Sequence, residues 1–397
     1  MMQIIARSIA EQIGNASWIR RMFEEGNELR RRFGADRVFD FSLGNPDLPP
    51  PPATAAALDR IRDEAGQPRV LGYVSNAGLP ALREALAAAL AAEQQMPGLK
   101  ADHVLVACGA AGALTSFFRA VLEPGDEVIC PSPFFVEYGS YCGHFGGVLK
   151  PLPARQPAFD LDVGAMLAAI GPATRVILLN SPNNPTGCVY PAETLARLAA
   201  GLEAVNRHRD RPVFLLSDEP YRFLAYDDAV VPPMLPLSPF AVVVGSFSKR
   251  LSIAGERIGY LAINPHMPEG GLLMQAVTMT TRTLGFVNAP VIGQKLALML
   301  LNEGVDLAIY AERRALMARV LDEAGIRYAL PRGAFYFFPE APGGDDLAFV
   351  QRLLAENILA VPGRGFGCPG FFRLSFSVET ETIARSAAGF KRAAAAK

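Results

Sequence analysis

Little in this chain favours a polyanionic partner. Its 397 residues carry 38 lysines and arginines against 39 aspartates and glutamates, a formal net charge of -1. That balance lacks the positive excess that nucleic acid or an anionic membrane would attract, so neither is expected as a partner. Cysteines are few: Cys108, Cys130, Cys142, Cys188 and Cys368 are an odd number, widely scattered, without the paired spacing of a zinc site or a disulfide framework. No metal is expected, and free thiols suit a reducing cytoplasm. Long apolar runs are missing as well. The first residues lack the sustained apolar core of an export signal, and no later stretch stays apolar long enough to cross a bilayer. Internal repeats and extended low-complexity tracts are absent too.

What remains is ample core-forming material, since 50% of the residues are hydrophobic. The length exceeds one compact core and implies a large domain with a smaller one. Residues 1–40 read as an exposed helix in which Arg20, Arg21, Arg30, Arg31 and Arg32 interleave with Glu24, Glu25 and Glu28. Gly44-Asn-Pro-Asp and the prolines at 49–52 end that regularity. Leu82 to Glu93 is an alanine-rich helix. From His103 onward, short apolar runs alternate with helical stretches, the rhythm of a parallel sheet. Strands are expected at 104–107, 127–130, 147–149, 175–180, 213–217, 241–246 and 258–263. After Asn288 the texture becomes a helical tract through Leu321 and then a mixed segment. The expected fold is α/β: a large domain (46–287) with a mostly parallel seven-stranded sheet flanked by helices, and a smaller α+β domain built from both chain ends (1–45 and 288–397).

Four loops leave expected strand ends, where open α/β sheets place ligands. In Gly109-Ala110-Ala111-Gly112, small residues at a helix start let backbone N–H groups approach an anion. Taken alone, that loop is better explained as a tight packing turn. Ser181-Pro-Asn-Asn184-Pro-Thr-Gly sets two asparagines between prolines, and turn chemistry accounts for only one of them. Ser217-Asp218-Glu-Pro-Tyr221 puts a carboxylate just beyond an apolar strand, where it needs a cation or must serve as a helix cap. The fourth loop runs Ser246-Phe-Ser248-Lys249 and reaches Arg257 eight residues later. A lysine beside hydroxyls at the edge of an apolar core can lose its proton and attack a carbonyl, while arginine binds phosphate bidentately. Pyridoxal phosphate presents an aldehyde, a phosphate, a ring nitrogen and a phenolic oxygen, and these loops offer each a partner. Phe134 and Phe135 follow another strand and could cover its ring.

With these residues in view, the chain resembles the fold-type I pyridoxal phosphate-dependent aminotransferases of the class I and II superfamily, from about Gly44 to Ser377. The resemblance rests on Asn184-Pro-Thr-Gly, Asp218-x-x-Tyr221, Ser246-x-Ser-Lys249 and Arg257-x-Gly-Tyr in the family's order and separations. It implies that Lys249 forms the internal aldimine and shuttles a proton, that Asp218 pairs with the ring nitrogen, and that Asn184 and Tyr221 hydrogen-bond the ring oxygen. Ser246, Ser248, Arg257 and the backbone from Gly109 through Ala110 and Ala111 would hold the phosphate, with Phe135 on the ring. Tyr73 matches a tyrosine that reaches the neighbouring subunit's phosphate, which implies a homodimer. Arg373 matches the arginine that takes the substrate α-carboxylate, assisted by Gly44 and Asn184. Two departures stand out: Glu256 sits beside the phosphate arginine, and Phe135 occupies a position where aspartate-specific members usually carry tryptophan. Arg282 and Arg332 are the candidates for selecting the substrate side chain. The implied activity is transfer of an α-amino group from an L-amino acid to a 2-oxo acid by a ping-pong cycle, with a carbon–sulfur lyase of the same fold as the alternative. A transcription regulator would need a DNA-binding module before the first loop, where mixed charge leaves little room for one.

Overall fold

The apolar runs of the sequence assemble into one sheet because most of them are buried from two sides, the edge strand Val148–Pro153 alone among the described strands of that sheet staying largely exposed. In the computed structural model, which describes residues 4–6, 9–10 and 18–396, seven strands form it. They are β1 (Val104–Cys108), β2 (Glu127–Ser132), β3 (Val148–Pro153), β4 (Thr174–Asn180), β5 (Phe214–Asp218), β6 (Ala241–Ser246) and β7 (Ile258–Ile263). Their order is β1-β7-β6-β5-β4-β2-β3. Only β7 runs antiparallel to its neighbours, β1 and β6.

Alternation explains why these runs are so apolar. Along β6, Val242 and Val244 enter one core layer while Ala241 and Val243 enter the other, and all four are completely buried. Each valine so buried contributes roughly 1.5–3 kcal/mol relative to exposure. Helix α1 (Pro80–Glu93) covers one face through Leu82, Leu86 and Leu90. Helices α2 (Gly109–Val121) and α3 (Gly270–Thr283) pack together over the other, with Phe117, Phe118 and Val277 buried there.

The chain forms two compact units. One comprises Asn45–Leu307 with Pro331–Ala334, the other Met1–Gly44, Ala308–Leu330 and Phe335–Lys397. The boundary expected at 287/288 therefore moves to 307. Helix α4 (Val291–Met299) is the reason: its Leu296 and Ala297 share a buried cluster with Ala57, Ile61 and Leu82, so it belongs to the sheet unit. The helical tract expected through Leu321 is likewise two helices, α4 and Leu307–Glu323, parted by a turn at 300–306 whose Val305 N–H donates to the Arg250 carbonyl at 2.9 Å.

In the other unit, Phe39–Asp40 pairs in parallel with Ile358–Leu359. A separate antiparallel sheet joins Val361–Pro362, Phe372–Ser375 and Tyr336–Phe337. The helix expected over 1–40 is present at Trp18–Phe33, and the chain then makes a 3-10 turn at Ala35–Arg37 before its strand. Residues 1–3, 7–8 and 11–17 of that expectation lie outside the described residues, as do the side chains of Arg20 and Arg21. The Arg31–Glu28 ion pair forms at 2.5 Å, while Arg30 turns to Asp40 at 2.5 Å. Among the described residues no helix is long and apolar enough to cross a membrane.

Candidate active site

Register brings the loops of the sheet unit together. Asn180 at the end of β4 lies opposite Asp218 at the end of β5, and Asp218 lies opposite Val244 near the end of β6. Next to it, Ser246 faces Gly259 on β7, while Cys108 at the end of β1 faces Ile258. The residues singled out on four separate loops thus share one edge of the sheet.

Asp218 is buried there with its two oxygens treated differently. Oδ2 accepts a 2.6 Å hydrogen bond from the Tyr138 hydroxyl, whereas Oδ1 is buried with no partner among the described residues. Burial pushes the carboxyl up to about 7, against the pull of the Tyr138 hydrogen bond. A carboxylate left so incomplete is costly unless a ligand's donor meets it. The helix-cap explanation fails, because no helix follows Asp218: the chain makes a turn in which Arg222 N–H donates to the Glu219 carbonyl at 3.2 Å. Tyr138 was not singled out in the sequence. It opens the short helix Tyr138–Gly143, and its ring meets Phe135 edge-on with centroids 5.5 Å apart.

Asn180, also missed, organises the neighbouring loop. Its Nδ2 donates to the Asp218 carbonyl at 2.8 Å, and its Oδ1 accepts the Asn184 N–H at 2.7 Å. The two asparagines that follow divide as turn chemistry suggested: Asn183 Oδ1 accepts from the N–H and hydroxyl of Thr186 at 3.1 and 2.8 Å. Asn184 and Tyr221 are both buried.

Lys249 lies in the four-residue helix Phe247–Arg250 directly after β6, capped by Ser246, whose Oγ accepts the Ser248 N–H at 3.1 Å. Ser246 Oγ also donates to Ser248 Oγ at 2.9 Å, and Arg257 Nη1 reaches the Ser248 hydroxyl at 3.5 Å and the Ala254 carbonyl at 2.9 Å. Arg257 holds a left-handed backbone, φ 51°, an uncommon state for a side chain with a Cβ. The guanidinium stands over the start of α2: a Cβ on Gly109, itself at φ +71°, would lie 2.6 Å from Arg257 Nη2. Helix N–H groups, two serine hydroxyls and an arginine converge on one cradle, the donor set of a phosphate site. Pyridoxal phosphate fits these residues, with Asp218 Oδ1 waiting for a ring N–H and the cradle for a phosphate.

Tyr73 is 91% exposed and borders a surface hollow with Leu71, Glu256 and Ile292. Arg282 and Arg332 are exposed. In the second unit, Arg373 is 2% exposed, its Nη2 donates to the Ser42 carbonyl at 2.5 Å, and its guanidinium sits 4.8 and 4.9 Å from the ring centres of Tyr336 and Phe366. Gly44 packs directly beneath the Tyr336 hydroxyl, where any side chain would collide.

Comparison with known proteins agrees with this chemistry. A family model described as aminotransferase class I and II matches residues 36–390. A probable aspartate/prephenate aminotransferase of Aquifex aeolicus is 32% identical over 388 residues, 93% of each chain. The aspartate/prephenate aminotransferase of Thermus thermophilus is 33% identical over 383 residues, 92% of each. A crystal structure of an amino transferase from Eubacterium rectale superposes with a TM-score of 0.94 at 34% identity, covering 99% of this chain and 98% of that one. These relatives are named for amino transfer, so the lyase alternative is not favoured. The chain is a pyridoxal phosphate-dependent aminotransferase and belongs to the aminotransferase class I and II family.

Proposed function

We propose that the donor is an L-amino acid whose α-carboxylate is received by Arg373, and that a 2-oxo acid enters by the same contact. The names of the relatives make aspartate the first donor to assay and prephenate an acceptor to include. Arg373 suits the task because its planar fork is held rigidly between two aromatic rings, ready for a bidentate carboxylate. Gly44, packed against Tyr336 beside Arg373, would add a backbone contact to the carboxylate.

The observation that carries the reading is the half-satisfied Asp218. When bound, pyridoxal phosphate supplies an aldehyde that takes up the amine and a ring that accepts the electron pair left as the Cα proton departs. Lys249 would anchor the aldehyde carbon, then use its freed Nζ to take the Cα proton. Asp218 Oδ1 would accept the ring N–H and keep that proton in place, with Tyr138 holding the opposite oxygen. Asn184 and Tyr221 would donate to the ring oxygen, Phe135 would cover the ring face, and Ser246, Ser248, Arg257 and the α2 N–H groups at Gly109, Ala110 and Ala111 would hold the phosphate. Tyr73, exposed beside Leu71, is proposed to complete the site of a second copy in a homodimer. Free thiols at all five cysteines support a cytoplasmic setting.

The test is a donor screen that reads conversion of the bound cofactor to its amine form, with borohydride trapping and peptide mapping run separately on the cofactor-loaded protein before any donor is added. Aspartate should convert it, and the trapped adduct should map to Lys249. Pyruvate and ammonia released without an acceptor would instead indicate elimination.

A further inference from the structure

Glu219 follows Asp218 directly and belongs to none of the groups assigned above. Its side chain is fully buried, and its carboxylate accepts from the Ser217 hydroxyl at 2.8 Å, from Gln94 Nε2 at 2.9 Å and from Arg222 Nη1 at 3.2 Å. Arg222 is tied down in turn by Glu93 Oε1 at 3.1 Å and by the carbonyls of Val231 and Pro232, both at 3.0 Å. Gln94 completes the arrangement by accepting the Met234 N–H at 2.7 Å. One carboxylate therefore fastens the end of α1, the end of β5 and the 231–234 loop to each other.

The geometry matters because of what lies between Glu219 and Arg222. The turn they span is closed twice, by Arg222 N–H to the Glu219 carbonyl at 3.2 Å and by their side-chain ion pair at 3.2 Å, and Tyr221 lies inside it. At its start, Glu219 N–H donates to the Val244 carbonyl at 2.7 Å, pinning the residue after Asp218 to β6, the strand that leads to Lys249. We infer that Glu219 is a positioning residue of the cofactor site: its clamp fixes the backbone on which Asp218 and Tyr221 stand, so that both meet the cofactor ring at once. This rests on the reading of Asp218 and Tyr221 given above. A buried carboxylate met by three donors is a rigid fixture, and losing its charge leaves Arg222 and Gln94 donors facing a group that cannot accept them all.

The test uses the full-length apoprotein titrated with pyridoxal phosphate, read by absorbance of the bound cofactor, with unfolding followed in parallel. Glu219→Gln should weaken cofactor binding roughly tenfold and shift the pH midpoint of the visible band, as loss of support behind a binding group does. The exchange Gln94→Glu with Glu219→Gln restores a carboxylate–amide pair and should recover part of both effects. A lower melting temperature with unchanged affinity and unchanged midpoint would reduce Glu219 to a stabilising residue and overturn the inference. Should Glu219→Gln not accumulate as folded protein, Ser217→Ala decides: it removes one donor and should shift the midpoint in the same direction by less, and no shift would count against the inference. Failure of the unaltered protein to bind pyridoxal phosphate would overturn the reading of Asp218 instead, and this inference with it.

Discussion

Asp218 and Glu219 are consecutive carboxylic acids at the end of one strand, both buried, both pushed by burial up to about 7. Their surroundings differ in kind. Glu219 is met by a hydroxyl, an amide and a guanidinium. Among the described residues Asp218 has a single donor, Tyr138, and one bare oxygen. Protein interiors rarely leave a buried oxygen unmet, so a finished acid beside an unfinished one separates a structural fixture from a place kept for a ligand.

That contrast can be broken by substitution. The largest effect is expected at Asp218→Asn, which keeps the shape and the Tyr138 contact but cannot hold a ring proton. Single-turnover conversion of the cofactor by a good donor should fall by roughly 10²–10³-fold or more, while urea unfolding of the apoprotein stays unchanged or shifts slightly towards stability. Glu219→Ala should show the reverse emphasis. Removing one partner of a buried ion pair strands Arg222, so apoprotein stability should drop by about 3–5 kcal/mol in the same urea assay. Equal stability losses at the two positions would erase the distinction.

Tyr138→Phe sharpens it. Losing the one donor to Asp218 raises the cost of its anion, and cofactor affinity should weaken about tenfold, with a stability change of about 1 kcal/mol or less. A graded effect is expected in pH. Asp218 of the ligand-free fold sits near 7, above its ordinary 3.8, so it is protonated below that pH and cannot accept the ring N–H. Affinity should rise by at most about tenfold per pH unit up to 7 and flatten above. Proton uptake by this group favours the ligand-free fold most fully below 3.8, and that contribution is lost as pH rises through 7. Asp218→Asn should remove both trends, with the parallel contribution of Glu219 cancelling between the two proteins.

Most of the sheet was legible because its inner strands are buried on both faces and read as unbroken apolar runs, whereas the exposed edge strand β3 was expected only at 147–149; Lys249 and Arg257 were legible because the spacing around them is distinctive. Tyr138 was not, since it lies 80 residues from the acid it serves. The one local signal was its place three residues after Phe135, close enough for the two rings to meet. Asn180 was hidden for a different reason: counted as the last residue of a strand, it acts through a side chain whose two ends hold Asp218 and Asn184. The unit boundary at 307 escaped because α4 looks like the helices that follow it, and only its packing against Ala57 and Leu82 assigns it to the sheet.

The claim that Asp218 is completed by the cofactor can be tested at the atom concerned. Nitrogen-15 NMR of the protein loaded with pyridoxal phosphate labelled at the ring nitrogen should show that nitrogen protonated at neutral pH, and unprotonated in Asp218→Asn. An unprotonated ring nitrogen in the unaltered protein would contradict the account.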